Sequence, residues 1–178
     1  GPLIRRDIDR HIERYHQWAV DKTNSKNQIA IVYASSYGNT GRIAAAIETK
    51  LRDRGYSIAM VNAAEHAIDS PRTTLESSRA ILFGTPTFAG DAVRPTWDVV
   101  NLLSTISTRD TRTGVFGSYG WGGEGVKLVP QRPDGMKIKT FEEIFKARLV
   151  PSTEEMAGLD AWIDRFAAFV EQKAGASE

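Results

Sequence analysis

Gln28-Ile-Ala-Ile-Val-Tyr-Ala-Ser-Ser-Tyr-Gly-Asn-Thr-Gly-Arg-Ile-Ala-Ala-Ala-Ile-Glu-Thr-Lys-Leu51 is the stretch that decides the fold. Residues 29–33 form an unbroken apolar run rich in β-branched side chains, the pattern of a strand buried on both faces. Residues 35–40 then crowd hydroxyls, an amide and a glycine into six positions. Ile43, Ile47 and Leu51 follow at helical spacing, and Gly55 stands where that helix should stop. Strand, hydroxyl-rich loop and helix in this order point N–H and O–H donors at one spot beside the positive end of a helix dipole. Such an arrangement is a phosphate cradle.

The kind of cradle follows by exclusion. The chain has no Gly-x-x-x-x-Gly-Lys-Ser/Thr, so no lysine serves a nucleotide γ-phosphate. It also lacks the Gly-x-Gly-x-x-Gly of dinucleotide folds. A terminal monophosphate held by uncharged donors, Ser35, Ser36, Tyr37, Gly38, Asn39 and Thr40, fits the loop best. The same residue types also make ordinary turns that cap helices, which is the other reading of these six positions.

Outward from this unit, residues 57–62 read as a second strand. Residues 66–77 hold Pro71 and scattered hydroxyls, so any helix there is short. Residues 80–84 read as a third strand, followed by the loop Thr85-Pro-Thr-Phe-Ala-Gly-Asp91. A helix is expected over 96–106, with Trp97, Val100, Leu103 and Ile106 on one face. Residues 113–117 are a fourth strand, followed by the loop Ser118-Tyr-Gly-Trp-Gly-Gly-Glu124. Residues 125–150 are the irregular part, because Pro130, Pro133 and Gly135 interrupt the expected helix. They accommodate either a split fifth strand ending at 147–150 or a short helix from Thr140. Residues 152–173 make the final helix, opened by a Ser152/Glu155 capping box, with Met156, Leu159, Ile163, Phe166 and Val170 as its core stripe.

Strands alternating with helices specify a doubly wound α/β fold: a five-stranded parallel sheet with helices on both faces. Right-handed crossovers then bring the loops after the first, third and fourth strands to one edge, where ligands of such sheets bind. Ahead of the first strand, Ile8, Ile12, Tyr15 and Ala19 give residues 7–21 an amphipathic helical pattern, an addition to the fold. The organisation is thus a linker and helix over 1–27, the α/β domain over 28–173, and a tail over 174–178. The opening Gly1-Pro2 reads equally as a connecting segment and as a protease scar.

The 178 residues, 41% hydrophobic and 25% charged, make one ordinary globular domain. With no cysteine, disulfides, Cys-ligated zinc and Cys-ligated iron–sulfur clusters are excluded in this chain, and a cytoplasmic location is the expectation. No apolar run approaches a membrane span, and a net charge of +1 leaves no footprint for nucleic acid or an anionic membrane. The three histidines, His11, His16 and His66, show no metal-ligand spacing and read as surface residues. No Ser/His/Asp or Cys/His nucleophile set is present, so no catalytic residue is assigned.

The loop residues 35–40 resemble the phosphate loop of the flavodoxin family. The Ser-Ser-Tyr-Gly-Asn-Thr form, together with Gly-Ser-Tyr-Gly-Trp-Gly-Gly at 117–123, resembles the flavodoxin-like domain of flavodiiron proteins. The likeness is good to about Gly125 and looser beyond. It implies a domain that binds FMN and relays electrons from a reductase to a diiron site that reduces O2 or NO. That site would lie on a metallo-β-lactamase-like domain of the same polypeptide, met across a head-to-tail dimer. The resemblance puts the flavin ring against Phe88 and Trp121. Pro86, Thr87, Ser118, Tyr119, Gly120, Gly122 and Gly123 then lie beside the ring edge and ribityl chain. Tyr119 fits a flavin contact or a partner surface equally well. Glu65 and Asp91 read as solvated charges, Asp91 with a minor contact to the ring edge as its second reading. Three other functions share the fold: a free-standing electron shuttle, an NAD(P)H:quinone reductase, and a flavin-free interaction domain. The near-neutral charge and the extra first helix weigh against the shuttle.

Overall fold

The computed structural model describes residues 27–65 and 71–172. The helical pattern at 7–21, all three histidines and the tail lie outside these residues. Strand β1 (Gln28–Tyr33) leads through the hydroxyl loop into α1 (Asn39–Asp53). The chain continues with β2 (Ser57–Asn62), α2 (Arg72–Ser77), β3 (Ala80–Phe88), the two-residue β4 (Asp91–Ala92), α3 (Arg94–Val100) and β5 (Arg112–Tyr119). It closes with the short helices α4 (Gly125–Leu128) and α5 (Gln131–Gly135), then β6 (Phe145–Arg148), α6 (Thr153–Ala157) and α7 (Leu159–Glu171).

The sheet runs β2-β1-β3-β5-β6, all pairs parallel, with β4 turned back antiparallel on β3. Alternation along β1 divides the core. Ile29 and Ile31 face α1 and α7, packing with Ile43, Ile47, Leu51, Trp162 and Phe166. Ala30 and Val32 face the opposite layer, with Leu75 of α2, Val99 and Val100 of α3, and Val126 of α4. Both faces are covered, which is why the central strands carry continuous apolar runs rather than alternating ones.

Several elements differ from the sequence-based expectation. Strand β3 runs on to Phe88, because Thr87 and Phe88 pair with Ala92 and Asp91 in a hairpin rather than a plain loop. Ala89 and Gly90 both take positive φ (51° and 81°), the conformation of a tight two-residue hairpin turn. Helix α3 ends at Val100, six residues short of Ile106, which is exposed. Past Val100 the chain tightens, the Leu102 and Leu103 amides donating to the Val99 and Val100 carbonyls, and the Ser104 amide turns to the Thr108 hydroxyl in place of the next helical rung. The expected single helix over 152–173 is two helices meeting at Gly158, although the Ser152/Glu155 capping box that opens it is present as read.

In 125–150 the split-strand alternative is the one realised, with its last piece at Phe145–Arg148 rather than at 147–150. Thr140 bridges Thr113, the chain leaves the sheet, and β6 rejoins β5 from Phe145. No helix forms from Thr140, because the backbone there is committed to that bridge: the Phe141 amide donates to the Thr113 carbonyl.

Candidate functional site

Three loops leave the carboxyl ends of β1, β3 and β5 at the same edge of the sheet, around the point where strand order reverses between β1 and β3. Two glycines let the second and third of them approach closely. A Cβ on Gly117 would stand 2.1 Å from the Thr85 carbonyl oxygen, so β5 lies against β3 up to the mouth of the site. A Cβ on Gly125 would meet the Asp91 carbonyl at 2.6 Å, so the loop after β5 rests on the β3–β4 hairpin. No side chain fits either space.

In the first loop Gly38 turns the chain into α1 at φ 81°. Ser36, Tyr37 and Gly38 are exposed. Ser35 Oγ accepts from the Gly41 amide at 3.2 Å, and the Gly38 carbonyl takes the Arg42 amide. Gly38, at the N-cap, has no side chain to cap the helix, Ser35 Oγ takes only the Gly41 amide, and the first turn carries no acidic residue. The Asn39 and Thr40 amides are therefore left for an acceptor from outside the chain, and an anion is the acceptor the dipole favours. Thr40 differs from its neighbours: it is buried, and its hydroxyl lies 2.9 Å from the Ser118 hydroxyl.

The second loop is the β3–β4 hairpin. Thr85 braces it, accepting from the Val93 amide and donating to the Pro86 carbonyl. Asp91 spends its Oδ1 inside the element, accepting from its neighbour Ala92 at 2.6 Å and from the Trp97 indole at 3.1 Å. The residue is nonetheless exposed, as its first reading as a solvated charge expects. Phe88 is not tucked into the sheet edge; it is 62% exposed at the mouth of the hairpin. The Thr87 hydroxyl is buried without a protein partner.

In the third loop Trp121 is 93% exposed. The loop beneath it is braced from β6: the Leu149 amide donates to the Tyr119 carbonyl and Arg148 Nε to the Gly120 carbonyl. The Tyr119 ring packs 3.1 Å from the Cβ position of Gly123, with the Lys146 ammonium 5.6 Å from its centroid on the β6 side. Its ring is thus engaged in holding the loop. Sequence reasoning missed Thr85, Lys146, Arg148 and Leu149 as supports. The first is one hydroxyl among many, and the other three sit in the irregular segment whose pairing no periodicity revealed.

The three loops thus offer uncapped amides and hydroxyls at one end and three exposed aromatic side chains, Tyr37, Phe88 and Trp121, around the rest. This is a site for a flat, partly apolar ligand with an anionic terminus. Among the described residues no group of His, Cys, Asp or Glu could hold a metal ion, and no helix is long and apolar enough to cross a membrane.

The sequence model of the flavodoxin family matches residues 31–162, and the chain belongs to that family. The match runs well past Gly125, through the irregular segment and into α7. Among individual proteins, the chain is 34% identical over 161 residues to the type A flavoprotein fprA of Rhodobacter capsulatus, an alignment covering 88% of this chain and 37% of that protein. It is 27% identical over 162 residues to the flavo-diiron protein FprA2 of Clostridium acetobutylicum, covering 88% of this chain and 40% of that protein. The fold superimposes on rubredoxin oxygen:oxidoreductase from Desulfovibrio gigas with a TM-score of 0.80 at 21% identity, covering 93% of this chain and 41% of the other. The chain is therefore a flavodoxin-like domain of the flavodiiron type, and it spans about two fifths of the length of these relatives.

FMN is the cofactor of the family, and the residues present fit it. The uncapped helix end suits its phosphate, and the exposed aromatics suit its ring.

Proposed function

We propose that this chain is the FMN-binding electron-transfer domain of a flavodiiron protein, with residues 28–173 as the functional domain, 1–27 as linker and helix, and 174–178 as tail. FMN supplies the capacity to accept and pass on electrons. The domain's own part is to hold it. Ser35, Ser36, Tyr37, Gly38, Asn39 and Thr40 surround the phosphate. Pro86, Thr87 and Phe88 lie along one side of the flavin, and the Ser118 backbone with Tyr119, Gly120, Trp121, Gly122 and Gly123 along the other. The observation that carries this reading is the exposure of Phe88 and Trp121 on two different loops at the edge where the uncapped helix begins. Exposed large aromatics cost a soluble protein unless something flat covers them.

Electrons would arrive from a reductase and leave for a diiron site on a metallo-β-lactamase-like domain of the same polypeptide, reached across a head-to-tail dimer, where O2 or NO is reduced. The relatives called flavo-diiron protein and oxygen:oxidoreductase support this direction. A cytoplasmic setting agrees with the absence of cysteine.

Flavin analysis of the purified chain tests the reading. One FMN released per chain, and no activity toward O2 beyond slow flavin reoxidation, is the expected result. Recovery of FAD alone, or a chain that takes up no flavin, would overturn it. NADH oxidation with quinone by the isolated chain would instead favour the quinone-reductase function.

A further inference from the structure

We infer that Ser118 is a phosphate-positioning residue that acts through Thr40, and that its hydroxyl makes no donor contact to the flavin ring. This rests on the FMN reading above and assigns a specific task within that site.

Thr40 is the second residue of α1 and Ser118 the last but one of β5, 78 positions apart. Both are buried, at 1% and 6% exposure, and their hydroxyl oxygens are 2.9 Å apart. Each hydroxyl carries one proton, and the contact between them uses one of the two. The second proton must find an acceptor, because a buried hydroxyl left unpaired is costly. Neither oxygen makes another hydrogen bond among the described residues.

Direction decides which hydroxyl keeps the free proton. Ser118 sits inside the sheet, between Pro86 of β3 and Ala147 of β6. Thr40 sits in the first turn of α1, where the Asn39 and Thr40 amides have no acceptor among the described residues. An anion at that loop is a stronger acceptor than any neutral oxygen beside Ser118. The chain of donors therefore runs from Ser118 to Thr40 to the phosphate, and Ser118 has no proton left for the ring. Each bond in such a chain strengthens the next. The consequence is selective: Ser118 should set the affinity for the phosphate end of the ligand and leave its ring end unaffected.

Titration of the flavin-free protein with FMN and with riboflavin separates these ends. Ser118→Ala should weaken FMN binding about tenfold while riboflavin binding stays within about twofold. Thr40→Val should weaken FMN further, about tenfold to a hundredfold. In the Thr40→Val background, Ser118→Ala should then cost nothing more, because its only route to the phosphate is gone. Ser118→Cys, a weak donor in nearly the same volume, should fall between wild type and Ser118→Ala, and it replaces the alanine variant if that one melts early. Equal loss for both flavins, or full additivity with Thr40→Val, would show that Ser118 touches the flavin directly and would overturn the inference. A wild-type protein that takes up neither flavin would instead remove the FMN reading itself.

Discussion

Trp121→Ala is the most direct probe of the ring site. Trp121 is 93% exposed, so its removal should leave the folded state within about 0.5 kcal/mol of wild type. Any large effect must then come from the ligand. An indole offers about 200 Å² of surface, and stacking on a flat ring covers about half of it, worth about 2.5 kcal/mol at 25 cal/mol per Å². Fixing the side chain takes back about 1 kcal/mol. The stacking contribution specific to aromatic pairs adds about 1 kcal/mol. The net is about 2.5 kcal/mol, or nearly a hundredfold in the FMN dissociation constant. An electron-rich indole against the ring also disfavours added negative charge, so the alanine variant should bind reduced flavin with a smaller deficit and show a higher midpoint potential. Its flavin fluorescence should rise, since a stacked indole quenches. Phe88→Ala, at 62% exposure, is the companion variant, with the same signs and a smaller size. Equilibrium titration, fluorescence and redox titration on one preparation read all three quantities. Unchanged affinity, fluorescence and potential in Trp121→Ala would place the ring elsewhere and refute the assignment of this loop.

Three further outcomes concern the scaffold. Gly117→Ala forces a Cβ to within 2.1 Å of the Thr85 carbonyl, so β5 must move from β3; thermal or denaturant unfolding should show a loss of about 2–3 kcal/mol, with FMN affinity falling in parallel. Tyr56 donates to Glu171 at 3.0 Å, and burial, followed by that bond, pushes its pKa up to about 12. Because the unfolded phenol ionises near pH 10, the stabilisation is complete below that value and is lost as pH rises towards 12. Tyr56→Phe should cost about 1 kcal/mol at neutral pH and should lack that alkaline decline in a melting series. Glu155 is held below the ordinary carboxyl pKa by the Ser152 and Arg148 amides it accepts from, so its contribution is present above the ordinary carboxyl range and fades as pH falls through the depressed value. Glu155→Ala should destabilise by about 1 kcal/mol at pH 7 and by less in acid, measured by denaturant unfolding.

The strand–loop–helix unit at 28–51, the parallel sheet and the gathering of three loops at one edge were legible in the sequence. Each rests on local information: a fully apolar run means a strand covered on both faces, Gly55 ends a helix, and right-handed crossovers leave little freedom of arrangement. The capping box at Ser152 was legible for the same reason, being a contact between residues three apart.

What only the structure decided are contacts that no periodicity or motif marks, some between near neighbours and some between residues far apart in the chain. Helix α3 stops early because the chain tightens past Val100 and the Ser104 amide turns to the Thr108 hydroxyl, a balance no periodicity expresses. Residues 85–92 close as a hairpin because the edge of β3 has β4 to pair with. Tyr119 holds its loop because Lys146 arrives from a strand that begins only after an interrupted segment. The pairing of Thr40 with Ser118 is the plainest case. A sequence names two hydroxyl residues in two promising loops, but only the packing of α1 beside β5 puts their oxygens 2.9 Å apart, away from water, where the direction of one proton matters.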